Sequence, residues 1–80
     1  MQVHLKFFAQ LREQLGDGHR MELRAGSTVG AVWEDIVAEH PALAKDPVRF
    51  AVNERYVPDS HRLAQNDELA VFPPVSGGMS

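Results

Sequence analysis

The sequence has no cysteine among its 80 residues. A disulfide framework, a thiolate metal site and a cysteine nucleophile are therefore all excluded. It also has no apolar run approaching the ~20 residues needed to span a bilayer. Residues 1–6 lack the charged start and apolar stretch of a signal peptide. We therefore expect a small disulfide-free domain in the reducing cytoplasm, without a membrane partner.

The chain has no excess of basic charge and no recognisable catalytic motif. Its net charge of −3 disfavours a nucleic-acid partner, which would require a basic patch. The four histidines lack metal-ligand spacing, so we expect neither a metal nor a tightly bound cofactor. The serines lie outside a nucleophile-elbow sequence, and no glycine cluster forms a phosphate loop. The chain is therefore expected not to be an enzyme on its own.

The hydrophobic pattern predicts one α+β domain with the element order ββαβββ. Alternating apolar residues indicate strands, and apolar residues at helical spacing indicate one long helix with Ser27 or Thr28 as its N-cap. We expect Trp33 to be the main anchor of this helix, and we expect a short helical turn at 9–15. The predicted elements are strands near 3–7, 20–24, 50–52, 56–57 and 69–72 and a helix at 29–39.

One long helix covers only one face of such a sheet. The other face stays bare, and we expect Phe8, Tyr56 and Phe72 to lie on it. Aromatic side chains gathered on an open face indicate a surface for a protein partner.

The last ten residues join an apolar strand to two prolines and a Gly-Gly pair. Pro73 and Pro74 prevent the strand from continuing, and Gly77 and Gly78 give a slender segment without Cβ atoms. We divide the chain into a folded domain at 1–74 and a flexible tail at 75–80. The tail is either a frayed end or a segment that inserts into another protein's site.

Three motifs together resemble the small subunits of molybdopterin synthase, in the MoaD/ThiS family of ubiquitin-like sulfur carriers. They are FFAQLRE at 7–13, AVN at 51–53 and DELAVFPPVSGG at 67–78. The resemblance covers essentially the whole chain. It implies a β-grasp fold, with a mixed sheet of about five strands and one main helix packed on one face.

The resemblance also implies a chemistry for the tail. In that family an E1-like enzyme uses ATP to adenylate the terminal glycine carboxylate, which a sulfur donor converts to a thiocarboxylate. The tail then delivers sulfur to a cyclic pyranopterin within the large synthase subunit. By position, Gly78 would carry the thiocarboxylate and Gly77 would give clearance beside it. The residues that would bind the partners are Phe8, Arg12, Tyr56, Phe72, Pro73, Pro74 and Val75.

Met79 and Ser80 depart from the family pattern, which ends at the second glycine. While they follow Gly78, that residue has an amide in place of a free carboxylate, and adenylation is blocked. Three explanations remain open: a peptidase removes the dipeptide, the carrier role has been lost, or the two residues are an artificial extension. We favour removal by a peptidase. The open functional alternatives are sulfur transfer to thiamine, cysteine or tRNA thiolation, a ubiquitin-like modifier, and a binding module whose tail does no chemistry.

Overall fold

A computed structural model describes residues 1–45 and 47–73. Within them, five strands and two α-helices follow one another, with one 3₁₀ helix between α2 and β3. The elements are β1 Gln2–Phe7, α1 Gln10–Leu15, β2 Gly18–Glu22, α2 Val29–Glu39, the 3₁₀ helix Pro41–Lys45, β3 Arg49–Val52, β4 Arg55–Val57 and β5 Glu68–Phe72.

The strands form one mixed sheet with the order β2-β1-β5-β3-β4. β1 pairs in parallel with β5, while the other three pairs of neighbours are antiparallel. The last strand thus lies in the centre of the sheet, between the first and third. This arrangement confirms the predicted α+β class with a mixed five-stranded sheet and one main helix.

The core lies between α2 and one face of the sheet. In β1, Val3, Leu5 and Phe7 are buried while the residues between them are exposed, which is the alternation of a half-buried strand. Leu69 and Val71 continue this buried surface on β5. The opposite face of the sheet carries no helix among the described elements.

Helix α2 begins and ends as the sequence predicts. Thr28 is its N-cap, because the hydroxyl oxygen of Thr28 accepts a hydrogen bond from the Ala31 N–H at 3.1 Å. The helix ends at Glu39, and the backbone of His40 leaves the helical region before Pro41.

The prediction that Trp33 is the main anchor of α2 is wrong. Val29 and Val32 are the fully buried residues of this helix, whereas Trp33 is half-buried. Its indole packs edge-on against Phe50, with ring centroids 6.4 Å apart. The two valines fill the space where the helix meets the sheet, and Trp33 packs against the core from its border.

Two further elements differ from the prediction. Strand β2 is Gly18–Glu22, two residues earlier than expected, because the turn after α1 is short. The sequence predicted no element between 39 and 50, whereas the 3₁₀ helix Pro41–Lys45 lies there and buries Leu43 against the core. None of the described helices is long and apolar enough to cross a membrane.

Candidate partner-docking surface

Phe8 and Phe72 stack on the open face of the sheet. Their ring centroids are 4.6 Å apart, and the ring planes are inclined by 10°. The parallel pairing of β1 with β5 aligns Phe7 with Val71. The residues that follow them, Phe8 and Phe72, are therefore also side by side, on the opposite face of the sheet. The sheet register therefore creates the stack from two segments that are far apart in sequence.

Tyr56 completes an aromatic patch, defined here as Phe8, Tyr56 and Phe72. Tyr56 faces Ala51 across β3 and β4, and Ala51 faces Ala70 across β3 and β5. The Tyr56 ring lies 6.0 Å from that of Phe72 at 52°. Tyr56 is 70% exposed and Phe8 is 37% exposed. The structure thus brings together the three aromatics that the sequence predicted on the bare face.

Small residues leave a hollow beside the patch. Ala51 and Ala70 lie at its floor, and the hollow has a volume of about 130 Å³. On its far side the Lys6 ammonium pairs with the Glu68 carboxylate at 2.9 Å. An apolar patch next to a shallow hollow and an ion pair can receive a partner's apolar side chain and a polar rim contact.

The patch lies where the chain leaves the sheet toward its tail. Phe72 ends β5, and Pro73 after it is half-buried. Pro74, Val75, Gly77 and Gly78 lie outside the described residues, as does the predicted boundary between domain and tail, so those assignments stay predictions. A partner that covers the aromatic patch would also be next to the start of the tail.

Arg12 lies on α1, one turn beyond Phe8, and is exposed. Its Nε is 3.7 Å from an Asp17 carboxylate oxygen, a long and solvent-exposed ion pair that contributes little to stability. The predicted docking role of Arg12 stays a prediction.

Arg49 is a residue that sequence reasoning missed. It pairs with Phe72 across β3 and β5, which places it on the open face next to the patch. A period-two reading of Arg49 and Ala51 would have identified the position. The apolar run of residues 50–52 concealed that alternation.

A second concavity lies on the helix side, between α1, β2 and the end of α2. Its volume is about 240 Å³. His19 and His40 lie on its border with two acidic residues, Asp35 and Glu39. Across residues 1–45 and 47–73, no group of three or more such side chains is placed to hold a metal ion.

Comparison with known proteins gives the family. The sequence profile of the ThiS family matches residues 5–78. The chain belongs to the ThiS family. Over nearly its full length it is 39% identical to a molybdopterin synthase sulfur carrier subunit of Chlamydomonas reinhardtii, with 98% of this chain and 100% of that protein covered. It is also 34% identical to small archaeal modifier protein 1 of Haloferax volcanii, with 91% and 97% covered.

Solved structures agree with this membership. A Pyrococcus furiosus protein described as a putative molybdopterin converting factor, subunit 1, has a TM-score of 0.82 at 32% identity, covering 94% of this chain and 99% of that one. A ubiquitin of Caldiarchaeum subterraneum shares the fold, with a TM-score of 0.62 at 21% identity over 98% of each chain. This ThiS-family chain is thus a ubiquitin-like β-grasp domain, as the sequence resemblance implied.

Proposed function

We propose that this protein is the sulfur carrier subunit of a molybdopterin synthase. The observation that carries the proposal is the match over nearly the whole chain to proteins of that name, at 39% identity in the algal relative. The aromatic patch supports it, because a carrier that works only with partners needs an exposed apolar surface to dock on them. In this role the protein does not catalyse a reaction alone and is the small subunit of a sulfurtransferase complex in the cytoplasm.

The proposed reaction takes place at the C-terminal carboxylate of Gly78. Once Met79 and Ser80 have been removed by a peptidase, a carboxylate oxygen attacks the α-phosphate of ATP in an E1-like enzyme, and pyrophosphate leaves. A sulfur donor then displaces AMP from the acyl carbon and leaves a thiocarboxylate. In the large synthase subunit this sulfur forms a bond to the pyranopterin precursor, and water then hydrolyses the acyl–sulfur bond, which restores the Gly78 carboxylate. The small domain itself contributes the acyl group, the tail and the docking surface.

The tail composition suits this division of labour. Residues 75–78 can span roughly 13 Å when extended, at about 3.3 Å per residue. Fixing each flexible residue in a cleft costs roughly 1–2 kcal/mol of conformational entropy. Pro73 and Pro74 reduce that cost at the start of the tail because their φ angles are fixed before binding. Glycine at 77 and 78 leaves room for the activating enzyme to approach the acyl carbon.

The deciding experiment uses a chain that ends at Gly78. It is incubated with its E1-like enzyme, ATP and a sulfide source, and the intact mass is then measured. We expect a mass gain equal to the exchange of one oxygen atom for sulfur, and no gain for the chain that retains Met79 and Ser80. An unchanged mass for the Gly78-ended chain would refute the carrier role. Intact mass of the protein from its native cell tests the removal step, which a chain found only at full length would contradict.

A second candidate function is that of a ubiquitin-like protein modifier. The 34% identity to the archaeal modifier protein favours it, because that relative is as similar as several carrier subunits. In this role Gly78 would form an isopeptide bond with lysines of other proteins. Higher-mass conjugates in cell extracts that disappear when Gly78 is deleted would support the modifier role.

A further inference from the structure

The chain turns sharply between the aromatic patch and helix α1. Ala9 has φ 54° and ψ −130°, and the Leu11 N–H donates a hydrogen bond to the Phe8 carbonyl at 3.1 Å. These are the angles and the bond of a type II′ turn with Ala9 at its second position. Glycine dominates this position because it requires positive φ.

Among the described residues, three other non-glycine residues have positive φ, namely Asn53, Glu54 and Asn66. Two of them are asparagines, whose side chains tolerate the left-handed region, and Ala9 has no such side chain. The ψ of Ala9 lies outside that region, and its methyl group offers no hydrogen bond. Nor does Ala9 provide a side-chain cap for α1. The backbone here is strained, and contacts on either side of Ala9 must maintain it.

Two side chains hold the turn from opposite faces of the sheet. Leu11 is 5% exposed and packs in the core, whereas Phe8 is 37% exposed and stacks on Phe72. If φ of Ala9 relaxes to a negative value, the segment on one side of Ala9 must rotate. Phe7 and Leu11 are both buried in the core. The Phe8 ring, in contrast, is held on the open face by its stack on Phe72, so Phe8 is the side chain that moves. The strain at Ala9 thus acts against the Phe8–Phe72 stack.

We propose that Ala9 is a positioning residue of the docking surface. In some molecules Phe8 is stacked on Phe72 and the aromatic patch is complete, and the energy of the strained turn determines what fraction of molecules this is. The inference rests on the proposed function, since it assumes that the patch docks on the large synthase subunit. The apparent dissociation constant is the intrinsic one divided by this fraction, so the side chain at position 9 affects binding without touching the partner.

The test compares glycine, alanine and valine at position 9 in the full chain. Ala9→Gly removes the strain and is expected to raise Tm by about 4–8 °C. Ala9→Val adds a β-branched side chain at positive φ and is expected to lower Tm by a similar amount. For binding to the large subunit, measured by calorimetry, we expect Ala9→Val to weaken affinity by up to about 3-fold, because about 1 kcal/mol of added strain lowers the fraction with Phe8 in place by that factor at most. Ala9→Gly should tighten it by no more than about 2-fold, because most molecules already have Phe8 in place.

Two controls separate positioning from general stability. In a Phe8→Ala background the turn is free to relax, so the Tm difference between glycine and valine at position 9 should shrink and their affinity difference should vanish. Gly26→Ala places a Cβ at φ 84° with nothing within 4 Å, far from the patch. It should lower Tm in the same way as Ala9→Val and leave affinity unchanged.

Equal affinity of the three position-9 proteins would overturn the inference, as would an affinity difference that persists without Phe8. Should Ala9→Val not fold at the assay temperature, Ala9→Gly decides the question, because a lower Tm or weaker binding contradicts a strained turn. If the unsubstituted chain does not bind the large subunit, the proposed function fails instead. The order of Tm values still tests the strain at Ala9 in that case.

Discussion

The Phe8 ring lies on the Phe72 ring, 4.6 Å away, although the two residues belong to opposite ends of the chain. The stack joins the end of the first strand to the end of the last, at the point where the tail begins. Any partner that receives the tail would therefore meet a surface assembled from both segments.

Phe8→Ala should weaken partner binding far more than it weakens the fold. The aromatic pair contributes about 0.5–1.5 kcal/mol to folding beyond its buried area, since Phe8 remains partly in water. At the centre of an interface, loss of an aromatic side chain costs at least about 2 kcal/mol of binding free energy. Urea unfolding and calorimetry with the large subunit measure the two effects. Phe8→Leu is the matched control and should recover part of the affinity, whereas equal losses in folding and binding would contradict a docking role.

The Asn53 side chain links the β3–β4 turn to the start of β5 and the loop before it through two hydrogen bonds. Its Nδ2 donates to Asp67 at 2.9 Å, and its Oδ1 accepts from the Glu68 N–H at 3.0 Å. Its φ of 51° is one that asparagine tolerates. We expect Asn53→Ala to lower the free energy of unfolding by about 2 kcal/mol, because it loses both bonds and adds backbone strain. Asn53→Gly keeps the turn and should cost less, so equal losses in urea unfolding would contradict the contribution of strain.

How far the sequence predicts this fold depends on whether a signal is local. The alternation in Val3, Leu5 and Phe7 and the cap at Thr28 are local, and both predictions are confirmed. The position of β5 between β1 and β3 depends on long-range pairing, which no local pattern specifies. Trp33 was misjudged because helical spacing identifies an apolar face but not which side chains fit beneath the helix.

The candidate site likewise combines residues that the sequence identifies with an arrangement that only the structure shows. The three aromatics were recognised because large apolar residues are conspicuous in a short chain, and strand order then brought them together. The strained turn at Ala9 was not predicted, because alanine gives no sign of positive φ; only the three-dimensional path from Phe8 to Leu11 shows it.

The ion pair between the Met1 amine and Glu22 should make stability depend on acidity. The amine lies 2.9 Å from the carboxylate, and its hydrogen bond and charge lower the pKa of Glu22 below the ordinary value. Because the pKa of Glu22 is lower in the folded chain than in the unfolded one, the ion pair makes its full contribution to the free energy of unfolding at pH values above the unfolded pKa. It is lost as pH falls through the folded pKa.

Unfolding free energies measured from neutral to strongly acidic pH test this dependence. The difference between the unsubstituted chain and Glu22→Gln should be constant at neutral pH and shrink toward zero in acid. Acetylation of the Met1 amine should abolish it. A difference that grows as the pH falls would contradict the assigned ion pair.

Trp33→Ala should destabilise the protein less than Leu69→Ala. Leu69 is fully buried in the central strand, so its truncation leaves a cavity and costs about 2–5 kcal/mol. Trp33 is half-buried at the border of the core, and the space it leaves opens to water, so we expect about 1–3 kcal/mol. Urea unfolding of both variants decides the order. The reverse order would contradict the placement of Trp33 at the border of the core.

Arg49→Glu should weaken docking on the large subunit without affecting the fold. Arg49 is exposed and pairs with Phe72 across β3 and β5, so its side chain lies on the border of the aromatic patch. Arginine is enriched at protein interfaces, and a carboxylate at this point would be desolvated beside an apolar surface without a matching cation. We expect the association rate to fall about 3- to 10-fold at low salt, with a smaller difference at high salt where charge effects are screened.

Arg24→Glu makes the same charge change beyond β2, the strand at the opposite edge of the sheet. Stopped-flow association with the large subunit should show little effect of Arg24→Glu, and equal losses for the two variants would mean that net charge, rather than the position of Arg49, governs docking.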